Sequence, residues 1–192
     1  MKTAFKRITA LIFAVMMLSA LIMLASCDAY DATIESFIKS DNYTVESESF
    51  TLTVDGASVN FVMDDTQMYL YYDKQAKSYY YVTMQDTDDS IVKLAIDSEQ
   101  YISYYKSIVS PASTMASKLS GFKQMHGSFE EVDGKYTFKE DGAFYTVSSV
   151  KGEITFTVDN EGDSNDYSYK VCNVGETKVV IPDNVKNAES IG

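Results

Sequence analysis

Between Phe50 and Val82 apolar and polar residues alternate through four short runs separated by tight-turn sequences, and this period of two commits the region to antiparallel β-sheet. Phe50, Leu52 and Val54 alternate with Thr51 and Thr53, and Asp55-Gly56 offers a two-residue hairpin turn. Pairing Val54 with Ala57 sets Leu52 opposite Val59 and Phe50 opposite Phe61. A second turn at Asp64-Asp65 sets Phe61 opposite Met68 and Val59 opposite Leu70, and a loop from Asp73 to Lys77 then sets Leu70 opposite Tyr80. Two apolar rows are therefore expected across one face, Leu52/Val59/Leu70/Tyr80 and Phe50/Phe61/Met68/Val82. The other face is expected to carry a surface aromatic patch of Tyr69, Tyr71, Tyr79 and Tyr81. Such a patch has two readings: a platform for a sugar ring or a protein partner, or a structural one, which is preferred, in which tyrosine's β-propensity suits half-exposed strand positions or another element packs over them.

The amino terminus is built differently. Lys2, Lys6 and Arg7 precede an apolar run from Ile8 to Leu24 broken only by Thr9 and Ser19, and Leu24-Ala25-Ser26-Cys27 closes it. A basic start, an apolar stretch and small residues make an export signal over residues 1–26, and the closing tetrapeptide looks like a lipobox whose cysteine is acylated. Cys27 is thus the expected lipidation site, with diacylglycerol and palmitate chemistry, and the protein is expected on the extracytoplasmic face of a bacterial membrane. The remaining chain has 13 lysines, no arginine and 28 carboxylates, a net charge of −15. Nucleic acid is excluded as a partner, because that affinity needs cations to neutralise phosphates. An anionic bilayer would repel the same surface, so the acyl anchor rather than a basic patch must hold the protein to its membrane.

Residues 27–42 read as an acylated tether and a short helix, with Asp31 as N-cap and Tyr30, Ile34, Phe37 and Ile38 at helical spacing. A single domain is expected over residues 43–183 and a flexible tail over 184–192. Within it, Ile91 to Val109 breaks the alternation; Tyr101, Ile102, Tyr105, Ile108 and Val109 fit a helix capped by Asp97 or Ser98. Ser110-Pro111 opens a second helix carrying Met115 and Leu119, which Gly121 is expected to stop. Strands resume around the Asp133-Gly134 turn, flanked by Phe129 and Phe138, and continue through Ile154/Phe156/Val158, Tyr167/Tyr169/Val171 and Val179/Ile181. Phe144 to Val147 is ambiguous.

No catalytic constellation stands out, and the chain is not expected to be an enzyme. His126 is the only histidine, which leaves no His-pair metal site, and no G-x-S-x-G motif surrounds a serine. Asp159 to Asp166 is calcium-like in composition but has Lys170 where an EF-hand needs a bidentate glutamate, so turn chemistry explains it. No metal or cofactor is expected. Cys172 has no disulfide partner once Cys27 is acylated, and reads as a small buried apolar residue.

Asn42-Tyr43-Thr44 at the first strand, Asp133-Gly134-Lys135-Tyr136 in the second half, and Asn173-Val174-Gly175-Glu176-Thr177-Lys178-Val179 closing at Ile181-Pro182 resemble the Lol-type and LppX/LprG-type lipoproteins. The resemblance spans roughly residues 30–183. It implies an α+β fold, mostly antiparallel β: a curved, unclosed half-barrel with short helices covering its concave face. The eight row residues Phe50, Leu52, Val59, Phe61, Met68, Leu70, Tyr80 and Val82 then become the expected ligand-binding set for a lipid or other apolar molecule. The alternative is a cell-surface interaction or structural module, engaging an envelope protein, whose core is filled by its own side chains.

Overall fold

The computed structural model describes residues 32–85, 90–124, 130–132, 134–160 and 166–191. The signal segment 1–26, Cys27, Asp31, His126, Phe129, Asp133 and the centre of the Asp159–Asp166 run lie outside the described residues. Residues 31–192 make one compact unit.

The fold opens with helix α1 (Ala32–Lys39) and six strands: β1 (Asn42–Glu46), β2 (Phe50–Asp55), β3 (Ser58–Met63), β4 (Thr66–Asp73), β5 (Ser78–Gln85) and β6 (Ser90–Ile96). Helices α2 (Ser98–Ile108) and α3 (Ser110–Gln124) follow. Then come β7 (Glu130–Val132), β8 (Lys135–Glu140), β9 (Ala143–Val150), β10 (Glu153–Asn160), β11 (Tyr167–Cys172), α4 (Asp183–Asn187) and β12 (Ser190–Ile191). The described strands form one unclosed sheet, mostly antiparallel, in the order β12-β6-β5-β4-β3-β2-β1-β11-β10-β9-β8-β7. Two runs of sequential hairpins thus meet at a single seam, where β1 pairs with β11 through Thr44–Cys172, Val45–Val171 and Glu46–Lys170.

The expected meander is present, with its registers corrected at two of three turns. The β3–β4 pairing is as read, Phe61 with Met68 and Val59 with Leu70, around Asp64 in the left-handed region (φ 49°). At β2–β3 the loop is Gly56-Ala57 rather than Asp55-Gly56, so Val54 meets Val59, Leu52 meets Phe61 and Phe50 meets Met63. Gly56, at φ 55°, donates its N–H to the Asp41 carbonyl at 2.9 Å, which fixes glycine at the first loop position. At β4–β5 the loop has four residues, not five: Asp73 pairs with Ser78, and the Asp73 carboxylate accepts from the N–H groups of Gln75 (2.7 Å) and Ala76 (3.1 Å). That one-residue change turns β5 over. Leu70 pairs with Tyr81, and Tyr80 and Val82 leave the apolar rows for the opposite face.

Paired residues share a face, so the registers define a front carrying Leu52, Val54, Val59 and Leu70, all fully buried, and a back carrying Tyr69, Tyr71, Tyr80 and Val82. Helices meet the front through aromatic contacts. Phe37 of α1 stands edge-on to Tyr43 at 5.3 Å, Tyr101 of α2 lies 4.6 Å from Tyr79, and Phe122 of α3 stacks on Phe138 at 4.2 Å. Helix α2 starts where expected, with the Asp97 side chain accepting from Glu99 and Gln100 in a capping box. Its approach is strand β6, which the broken alternation had hidden. Helix α3 runs through Gly121 rather than stopping there, because Phe122, one residue on, is buried against Phe138 and holds a further turn.

The carboxy-terminal segment is the largest departure from expectation. Val179 and Ile181 form no strand, and the expected loose tail is instead a strap across the back. Gly175 donates to the Asn42 carbonyl (2.8 Å), Thr177 N–H donates to Asn42 Oδ1 (2.7 Å), and Asn42 Nδ2 donates to the Thr177 carbonyl (2.9 Å). Val185 of α4 then buries completely in the cluster of Tyr69, Tyr71, Tyr80 and Val82, and β12 pairs in parallel with β6. The strap exists because the turned-over β5 presents tyrosines that need a cover.

Candidate functional site

Side chains on the front divide into a sealed centre and a half-open strip. Of the eight expected ligand-binding residues, Leu52, Val59 and Leu70 are fully buried, whereas Phe50, Phe61 and Met68, on the same face nearer one end of the strands, keep partial exposure. Tyr80 and Val82 belong to the back and contribute nothing here. The four tyrosines expected as a surface patch separate in pairs. Tyr69 and Tyr71 are 3% and 4% exposed under the strap, so they form no platform. Tyr79 and Tyr81 face the front, where Tyr101 lies on the first and Tyr104 stacks on the second at 4.8 Å.

The strip continues across the seam. Phe50 and Phe61 stack at 5.3 Å, Tyr169 of β11 reaches Phe50 at 5.9 Å, and Tyr167 lies 5.2 Å from Tyr169. Tyr167, Tyr169, Tyr145 and Phe156 were not among the expected ligand residues, since their neighbourhood depends on the β1–β11 pairing across the chain. Phe50 is placed by the Ser47 turn: Ser47 N–H donates to the Phe50 carbonyl (2.9 Å), and Phe50 N–H donates to Ser47 Oγ (3.1 Å). Because β1 stops at Glu46 while β11 begins at Tyr167, residues Tyr167, Ser168 and Tyr169 extend past the stretch paired with β1 and pair with β10 alone.

One cleft opens on this strip and a second lies beside the seam. One of about 350 Å³ lies between α3 and the strands, with Pro111, Thr114 and Met115 above and Tyr145, Phe156 and Tyr169 below. The other, about 460 Å³, lies between the Ser47–Phe50 turn and Asp166 to Tyr169 and reaches Thr157, which shares the back face with Ser168. Both fall in the volume range of small-molecule pockets, ~300–1,000 Å³. The cation bordering the first is Lys118, ion-paired to Glu140, with its ammonium 5.4 Å from the centre of the Tyr145 ring. That partner raises the Lys118 pKa, so the ammonium stays charged at neutral pH. Burial pushes the Tyr167 and Tyr169 phenols up, which keeps them neutral hydrogen-bonding groups.

Elsewhere the chemistry is structural. Tyr101 and Tyr105 donate their hydroxyls to the Ala57 and Gly56 carbonyls, the second at 3.1 Å, and tie α2 to the β2–β3 hairpin. Burial raises Tyr101 and Tyr71 to about 12. Cys172 is buried and free, its thiol pKa raised by burial and by Glu46, so it is an unreactive packing residue. Of the Asp159–Asp166 run, Asp166 accepts from the Asn160 N–H at 3.0 Å, a loop-closing bond. Among the described residues no three His, Cys, Asp or Glu side chains are grouped to hold a metal, and no helix is long and apolar enough to cross a membrane. Compared with known proteins, the chain matches no family model, and no curated protein is significantly similar to it.

Proposed function

We propose that this chain is a lipid-anchored extracytoplasmic protein that accommodates a lipid or other apolar chain against the open strip of its front face. In this reading residues 1–26 are a cleaved signal, Cys27 carries the anchor, and the sheet is a half-barrel whose concave side is the helix-covered front. The observation that carries it is the contrast within one face. Leu52, Val59 and Leu70 are fully buried, while Tyr167 and Tyr169 line the cleft beneath α3 and Phe50 and Phe61 keep partial exposure. Removing a half-exposed aromatic ring from water gains about 25 cal/mol per Å² of apolar surface, and a ligand tail provides that gain where the protein's own helices do not. Native mass spectrometry of residues 28–192, together with uptake of a fluorescent fatty-acyl probe, tests it. Uptake is expected, with loss in Phe61→Asp while the circular dichroism stays unchanged; a folded protein that takes up no probe overturns it. The anchor has its own test. Label from a palmitate analogue is expected on the wild type and absent from Cys27→Ser, and equal labelling of both removes the localisation.

A second reading, an interaction or structural module with a filled core, is favoured by the sealed centre of the face. It predicts that Phe61→Asp leaves every ligand measurement unchanged because there is none to change.

A further inference from the structure

The cleft beneath α3 is lined from one face of the sheet and one face of the helix. Tyr145, Val158 and Tyr167 pair across β9, β10 and β11, as do Val147, Phe156 and Tyr169, so the four rings of its floor stand on the same side. That side is the front, since Phe122 of α3 lies 5.2 Å from Tyr145, which lies 6.0 Å from Phe156. Above them Pro111, Thr114, Met115 and Lys118 follow the i, i+3, i+4, i+7 spacing of a single helix face. Among the described residues that line the cleft, Lys118 carries the only charge, and no carboxylate is one of them. In a chain with 28 carboxylates, an apolar cleft whose one charge is a cation selects the sign of what enters. Glu140, at the end of β8, holds the Lys118 ammonium, but the two side chains are 34% and 29% exposed, and a pair so placed is held weakly. A second carboxylate can therefore take its place.

On the reading of the strip as a ligand site, we infer that this cleft takes a long-chain carboxylate, whose head exchanges with Glu140 on the Lys118 ammonium and whose tail lies on the rings of Phe156 and Tyr169 toward Phe50. The test compares three probes of equal chain length on residues 28–192, which contain the whole compact unit. Decanoate, decanol and decyltrimethylammonium are titrated calorimetrically at neutral pH, below their micellar concentrations. Decanoate is expected to bind about fivefold tighter than decanol, and the ammonium probe weakest. In Lys118→Met that preference is expected to fall to about twofold or less with decanol affinity unchanged, and in Lys118→Arg to persist. Glu140→Gln tests the same exchange without touching α3: it removes the competitor, and decanoate is expected to tighten about threefold while decanol does not change. Decanoate no tighter than decanol, a preference that survives Lys118→Met, or no tightening in Glu140→Gln overturns the headgroup assignment while leaving the apolar cleft standing. Failure of both decanoate and decanol to bind overturns the strip as a ligand site, and the headgroup assignment with it.

Discussion

On the front of the sheet the helices add Ile34, Phe37, Tyr101, Met115, Leu119 and Phe122 to the buried set. On the back, Tyr69, Tyr71, Tyr80 and Val82 are closed by a strap that contributes only Val185 fully and Ile181 in part. The front therefore rests on apolar mass. The back rests on polar fastenings: the reciprocal Asn42–Thr177 bonds, and Lys93, 5% exposed, whose ammonium donates to the Lys186 carbonyl at 2.6 Å and lies 4.4 Å over the Tyr80 ring. Lys93 sits mid-strand in β6, a position for an apolar residue, and the strap is what gives its charge a partner. The hydroxyls follow the same division. On the front Tyr101 and Tyr105 have carbonyl partners, whereas on the back the buried Tyr71 hydroxyl has none among the described residues. A face closed by many interchangeable contacts tolerates an open strip; one closed by few fastenings retains a misfit.

The comparison breaks first at Leu70. Leu70→Ala is expected to cost about 2–5 kcal/mol in urea unfolding, because a fully buried side chain leaves a cavity under the helices. A loss below about 1 kcal/mol would mean that the centre of the front is not packed as described. Smaller effects of opposite sign are expected from two tyrosines. Tyr101→Phe removes a donor from the Ala57 carbonyl and should lower stability by about 1 kcal/mol. Tyr71→Phe removes a hydroxyl buried without a partner and should raise it by a similar amount, about 1 kcal/mol. Matching signs in paired denaturation curves would dissolve the contrast between the faces.

How far the sequence carried depends on what each turn had to decide. The Asp64-Asp65 turn was legible because Phe61, Val59, Met68 and Leu70 leave one register that keeps apolar residues together. The Asp73–Ser78 loop was not. Tyr71-Tyr72 leads into it and Tyr79-Tyr80-Tyr81 leads out, so a slip of one residue exchanges tyrosine for tyrosine and pattern cannot arbitrate. What decided was local hydrogen bonding of Asp73 to the loop N–H groups. Strand β6 was hidden because Ile91, Lys93 and Ala95 face the strap and Val92, Leu94 and Ile96 the front, so both sides carry apolar residues and no alternation survives. Half of the candidate site was visible, Phe50, Phe61 and Met68. Its other half, Tyr167 and Tyr169, comes from the far end of the chain and is joined only at the seam.

That seam also sets an order in time. Strands β1 to β6 pair with their immediate successors, as do β7 to β11, so each run can form from its own local contacts as the chain is made. β1 is different: its second neighbour is β11, and its Asn42 is fastened by Thr177, 135 residues later. Until those last residues arrive, β1 presents an unpaired edge with Val45 beside it, a template for a strand of any other chain. The arrival of β11 is thus what ends the interval in which a half-made copy is vulnerable to its siblings.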